Sequence, residues 1–182
     1  MKKLFCLWLS VIGCFILTSC GDDAWGNGDP AMENIYYVGF EDWGQFKNDV
    51  TFNVKQGETI GIPVQFWCEF IRPYDVVTYY YVAGDLVRGT DYEIVDANGN
   101  ALSPDENGAF SLTWEQAKKG VQNVYIKALN GNTGSFYVQT FNPDSDVELT
   151  NQDVSTTINN VTNDYEVRIF TQNYRVIVNV IN

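Results

Sequence analysis

The sequence predicts an all-β protein, a β-sandwich or a barrel, and three observations carry that reading. From about residue 34 onward, apolar and polar residues alternate with a period of two. Turn-forming pairs break the alternation at short intervals: Gln56-Gly57, Pro73, Gly84-Asp85, Asn98-Gly99, Asn107-Gly108, Asn130-Gly131, Asn142-Pro143 and Gln172-Asn173. Asn-Gly is the strongest of these, because both residues tolerate the positive φ of a type I′ hairpin turn. Only one short stretch carries helix signals. Many short strands with so little helix bury their apolar faces by packing two sheets or closing one.

The alternation places strands near 34–40, 49–54, 60–70, 75–83, 92–96, 109–113, 121–129, 134–141, 154–161, 165–171 and 174–181. On 60–70, Ile60, Ile62, Val64, Phe66, Cys68 and Phe70 share the side that must face the core, opposite Gln65, Trp67 and Glu69. Pro63 has no N–H for a ladder, which points to an edge strand or a bulge. A short helix is expected at 114–119, with Thr113 as cap, Gln116 completing a capping box and Gly120 ending it. On 121–129, Val124, Ile126 and Ala128 face in and Tyr125 and Lys127 face out. On 134–141, Phe136 and Val138 oppose Tyr137 and Gln139. In the last strand Tyr174, Val176, Val178 and Val180 share one side and Ile177 and Ile181 the other, so it reads as covered on both faces. Strands 165–171 and 174–181 read as a C-terminal hairpin added to the sandwich. No repeat at solenoid periods is present.

Composition narrows the function. The chain has 182 residues, 45% of them hydrophobic, enough for a real core in one domain. With 11 Lys+Arg against 23 Asp+Glu, the formal net charge is −12, which argues against a nucleic-acid partner. The absence of His removes the commonest general base and metal ligand, and with them the His-dependent triads and zinc sites. No cofactor is expected, since the chain has no Gly-rich phosphate loop and no Cys pair for a metal.

The N-terminus is an address. Basic Met1-Lys2-Lys3 precedes an apolar run, Leu4 to Leu17, too short for a lasting span, which needs about 20 residues. Leu17-Thr18-Ser19-Cys20 follows, and it resembles the lipobox of bacterial lipoprotein precursors. That resemblance implies cleavage before Cys20 and lipidation of Cys20, a stable multi-chain anchor. The organisation is then a signal peptide over 1–19, the lipidated Cys and a Gly/Asp/Asn-rich tether over 20–33, and one domain over 34–182. Asp22-Asp23 after the lipidated Cys resembles the export signal of Bacteroidota-type surface lipoproteins, which implies a lipid-anchored protein exposed on the outer membrane. Cleavage removes Cys6 and Cys14, and lipidation takes Cys20, so Cys68 has no internal disulfide partner and serves as a small hydrophobe.

Val77-Thr78-Tyr79-Tyr80-Tyr81, Gly89-Thr90-Asp91-Tyr92-Glu93-Ile94, Phe110-Ser111-Leu112-Thr113, Val124-Tyr125-Ile126-Lys127, Phe136-Tyr137-Val138 and Thr156-Thr157-Ile158 follow one another in an order that resembles the Calx-beta family. The resemblance covers roughly 49–161 and implies an immunoglobulin-like β-sandwich. The family often binds Ca²⁺ through acidic loop residues. At the corresponding places this chain has Asn159-Asn160 and Asn132 to Ser135, and Asp91 alone cannot supply the six to eight oxygens Ca²⁺ takes.

Two constellations remain as candidate sites. Asp144, Asp146 and Glu148 alternate after Asn142-Pro143; in an extended segment they share a face, which suits a hard cation or simply a solvated, charge-protected edge. Trp67, Tyr125 and Tyr137 lie opposite the core set of their strands, and Tyr80 opposes Tyr79 and Tyr81 with either face outward. Flat rings beside polar neighbours suit a sugar, whose C–H face stacks on the π-system while hydroxyls take hydrogen bonds; the same rings also suit cross-strand packing. The expected function is a non-catalytic, surface-anchored module binding a glycan or another extracellular ligand, with an outer-membrane protein as a further candidate partner. The alternative is a structural or adhesive subunit whose last strand, Tyr174 to Asn182, completes a neighbour's sheet.

Overall fold

A computed structural model describes residues 32–41, 47–146, 149 and 157–182. The expected signal peptide, the tether up to residue 31 with Cys20, Glu148 and the start of the expected strand at 154 lie outside the described residues.

Among the described residues eleven strands follow in chain order: β1 Ile35–Phe40, β2 Thr51–Lys55, β3 Thr59–Trp67, β4 Val76–Gly84, β5 Tyr92–Val95, β6 Phe110–Trp114, β7 Gly120–Ala128, β8 Gly134–Gln139, β9 Ile158–Val161, β10 Glu166–Ile169 and β11 Arg175–Ile181. They form a six-stranded sheet, β5-β7-β3-β1-β10-β9, and a five-stranded sheet, β2-β11-β8-β4-β6. The two sheets make the expected β-sandwich. Between them lie Val38, Phe40, Ile62, Val64, Phe66, Ile94, Val124 and Ile126 from one side and Val54, Tyr80, Phe136, Val138, Val176 and Val178 from the other, all buried. Every one of these sits at an alternate position of its strand, so period-two patterning alone directs them inward.

The C-terminal segment corrects the expected hairpin. β10 pairs parallel with β1 in the six-stranded sheet, whereas β11 pairs parallel with β2 and antiparallel with β8 in the other. The two strands therefore do not fold back on each other, and 166–181 is one run that changes sheets. β1 and β2 make the same change beside it. Residues 170–174 form the crossing and are pinned in place. Phe170 N–H donates to Val38 O (3.0 Å), Phe40 N–H to Asn173 O (2.9 Å), and Asn173 Nδ2 to Phe40 O (2.5 Å). Gly39 makes room for this crossing: a Cβ there would sit 2.6 Å from Asn173 Oδ1.

Four local expectations also change. No α-helix forms at 114–119; Glu115–Ala117 is a 3₁₀ turn with Gln116 and Ala117 at positive φ (55° and 50°), and its Gln116 N–H is taken by Asp75 Oδ1 (2.9 Å) rather than by the expected Thr113 cap. Pro63 sits in an interior strand. Its carbonyl accepts from Glu41 N–H, just past the end of β1, so its missing donor would fall where β1 has run out. β3 stops at Trp67, which leaves Phe70 in a loop, 51% exposed. β11 is buried on the Val176, Val178 and Val180 face only; Ile181 on the other face is exposed.

β4 has a divided edge. Its first half (Val76 to Tyr80) pairs with β6 and its second (Tyr81 to Gly84) with β8. Along the half that β8 does not reach, side chains of β9 replace a strand. Asn159 Oδ1 accepts from Tyr79 N–H (2.8 Å), while its Nδ2 donates to Tyr79 O (2.8 Å) and Thr140 O (2.6 Å). Asn160 Nδ2 donates to Val77 O (2.9 Å). The side chains of the six-stranded sheet thereby close one side of the sandwich onto the five-stranded sheet.

Candidate functional site

The four candidate aromatic residues do not assemble into one platform. Tyr80 is a correction: it is 2% exposed, stacks on Phe110 with centroids 5.3 Å apart, and burial pushes its phenol far above the ordinary value. It belongs to the core. Trp67 and Tyr125 both point outward from the six-stranded sheet. However, Tyr125 lies opposite Gly61, six residues along β3 from Trp67, or about 20 Å at strand rise. Trp67 is also occupied: Lys119 Nζ sits 3.8 Å from its ring centroid, and Phe170 meets it edge-on, with Tyr37 stacked on Phe170 in turn. The crossing segment at 170 supplies that cover.

Tyr137 is different. It lies on β8 in the five-stranded sheet, points away from the core and is 37% exposed. Strand register builds a surface around it. Tyr137 pairs with Ile177 on one side and Ala83 on the other, and Gln139 pairs with both Arg175 and Tyr81. Tyr81 is therefore a diagonal neighbour of Tyr137, about 7 Å away across the strand pair. The Arg175 guanidinium carbon lies 4.8 Å from the Tyr137 centroid and 5.5 Å from that of Tyr174. In the next row, Ser135 Oγ pairs with Asn179 Oδ1 (2.7 Å) and Asn179 Nδ2 donates to Asn53 Oδ1 (3.1 Å). This ladder of a hydroxyl and two amides opens at the sheet's end into a hollow of about 370 Å³ lined by Thr133 to Ser135 and Asn179 to Asn182. A partly exposed ring, a second tyrosine, a planar cation and oriented amides thus share one face. Such a face stacks an apolar surface and hydrogen-bonds hydroxyls, the division of labour in a sugar site.

Sequence reasoning singled out Tyr137 but missed Tyr81, Arg175, Asn179, Ser135 and Asn53. Alternation gives each strand's outward face, and the missed residues are all on outward positions. What it lacks is which strands are neighbours, and only that brings them together.

Of the acidic trio, only Asp144 and Asp146 are among the described residues. Asp144 and Asp146 are exposed, and Asp144 lies in a turn with Pro143, its N–H donating to Asn142 Oδ1 (2.9 Å). Glu148 lies outside the described residues. No group of three or more potential metal ligands occurs among the described residues. Cys68 is half-buried and burial raises its thiol pKa, which holds the proton on and opposes a nucleophilic role.

The Gly-Thr-Asp-Tyr motif has a structural role in this fold. Asp91 is buried, and its carboxylate takes Val87 N–H (2.7 Å), Asn132 N–H (2.7 Å) and Asn132 Nδ2 (3.1 Å). The Val87 and Asn132 backbone donors hold its pKa below the usual carboxylate range. It ties the loop before β5 to the loop between β7 and β8. Gly131 is required at the contact, since a Cβ there would lie 2.3 Å from Asp91 Oδ1.

No protein-family model and no curated protein matches the chain, so the Calx-beta resemblance rests on the quoted motifs alone. Among solved structures, the chain is similar to the N-terminal domain of PorA (10% identity, 80% of this chain and 95% of that one, TM-score 0.35). It is also similar to a chain in the complex of a CaDoc0917 variant with CaCohA2 (13%, 81% and 99%, TM-score 0.38). A third is AvmM, described as catalysing macrocyclization in alchivemycin A biosynthesis (11%, 82% and 89%, TM-score 0.33). At these scores the likenesses carry no argument about function.

Proposed function

We propose that the chain is a lipid-anchored surface module that binds a glycan, without catalysis, on the outer face of its five-stranded sheet. The observation that carries this reading is Tyr137: a partly exposed ring backed by Arg175 and bordered by Tyr81 and the Ser135–Asn179–Asn53 ladder. The core does not use these side chains, so their arrangement is free to serve a ligand. The anchor rests on Leu17-Thr18-Ser19-Cys20 and the apolar run before it. The outer membrane is its proposed site, with the domain facing outward. The structural-subunit alternative loses its main support, because β11 is paired on both edges within its own sheet and has no free edge to donate.

The test is a glycan array probed with the mature protein in detergent, with calcium and then with EDTA. Binding that survives EDTA and is lost in Tyr137→Ala, at unchanged melting temperature, supports the reading. Equal binding by Tyr137→Ala, or no binding by the unmodified protein, overturns it. Lipidation is read separately: the N-terminal peptide carries acyl mass in the unmodified chain and loses it in Cys20→Ala.

A further inference from the structure

The position of Arg175 narrows the ligand class and rests on the glycan reading of the Tyr137 face. The chain has four arginines. Three have a carboxylate partner: Arg72 with Glu33 (3.4 Å), Arg88 with Glu93 (3.5 Å) and Arg168 with Glu166 (2.5 Å). Arg175 forms no ion pair among the described residues, in a chain where acids outnumber cations 23 to 11. Its Nε is buried and without a hydrogen-bond partner among the described residues. The guanidinium lies instead against the rings of Tyr137 and Tyr174. A cation stacked on rings keeps its charge and its fixed planar fork while losing part of its water shell. A carboxylate meets that fork with two parallel hydrogen bonds, and an under-satisfied guanidinium gains most from such a partner.

We infer that the ligand is an acidic sugar, a carboxylated pyranose whose ring stacks at Tyr137 and whose carboxylate pairs with Arg175. The whole-chain charge limits the ligand further. At a net charge of −12, the protein repels a densely charged polyanion at long range, and one unpaired arginine cannot offset that. The fitting ligand therefore carries isolated carboxylates among neutral sugars. Screening by salt weakens the repulsion more than the close contact, so affinity is held or improved by moderate salt, opposite to the behaviour of a basic polyanion binder.

The experiment titrates the mature protein in detergent with matched oligosaccharide pairs. One pair is a glucuronic-acid-terminated oligosaccharide and its carboxyl-reduced glucose counterpart; another is a sialylated oligosaccharide and its desialylated form; heparin serves as the polyanion. The expected result is at least tenfold preference for the acidic member of one pair. That preference vanishes in Arg175→Gln, which still binds the neutral sugar weakly, and returns in part in Arg175→Lys. Whichever pair shows it separates a uronic from a sialic acid. Equal affinity for acidic and neutral members, with loss in Tyr137→Ala, overturns the acidic-sugar inference while leaving the glycan reading standing. Tightest binding to heparin also overturns it. No binding to any sugar overturns both.

Discussion

Replacing Asn159 tests whether a side-chain amide truly stands in for a missing strand. Asn159 makes three hydrogen bonds at 2.6–2.8 Å to the Tyr79 N–H, the Tyr79 carbonyl and the Thr140 carbonyl. Asn159→Ala strips all three partners in a half-buried setting. At about 1 kcal/mol net per bond, the loss is about 3 kcal/mol. For a domain of this size that corresponds to a fall in Tm of roughly 6–12 °C. Asn159→Asp is the sharper variant. It keeps an acceptor for Tyr79 N–H but turns a carboxylate oxygen toward two carbonyls, so at pH 7 it is less stable than the alanine variant. The same repulsion raises the folded-state pKa of the new carboxyl above its unfolded value. The folded state then holds a proton that the unfolded state has released, so stability recovers as the pH falls through that raised pKa. The assay is urea unfolding followed by tryptophan fluorescence at neutral pH and again in mild acid. An alanine variant as stable as the unmodified protein refutes the surrogate-strand argument, as does an aspartate variant that equals it at pH 7.

Two further perturbations probe the frame that carries the site. Phe136 is buried on β8 and stacks on Tyr92 of the opposite sheet with centroids 4.3 Å apart; Phe136→Ala costs about 3–5 kcal/mol in chemical denaturation, and a loss under about 1 kcal/mol refutes its role in joining the sheets. Asp91, its pKa lowered by the N–H groups of Val87 and Asn132, stabilises the fold at neutral pH, and that contribution is lost as the pH falls through its depressed value. Asp91→Asn therefore lowers Tm at pH 7 and flattens its decline on acidification; an acid slope identical to that of the unmodified protein refutes the assignment.

Strand positions were legible because most strands, such as β3, β7 and β11, have one buried face, and a period of two is the signature of that burial. The inward set Val124, Ile126 and Ala128 and the outward Tyr125 were read correctly for that reason. Alternation says nothing about which sheet a strand joins. β10 and β11 alternate as a hairpin would, with a turn between them closed by Asn173 N–H to Phe170 O (3.1 Å), yet they enter different sheets because Phe170 and Asn173 also bond across to Val38 and Phe40 of β1. Tyr79, Tyr80 and Tyr81 show the same gap more finely: the polar residue beside the three rings, Thr78, faces inward with Tyr80 and takes the Trp114 Nε1–H, so it does not mark the outward side.

The site follows from that decision. Once Tyr80 turns inward, Tyr81 must turn outward, and pairing with β8 brings it diagonal to Tyr137 and one strand from Arg175. The half of β4 that holds Tyr79 has β6 on one edge but Asn159, not a strand, on the edge that faces β8, so the geometry of the proposed binding face depends in part on a side chain from the opposite sheet. The Asn159 variants should accordingly weaken glycan binding as well as stability. Loss of stability without loss of affinity under native conditions would show that the β8 half of β4 alone positions Tyr81.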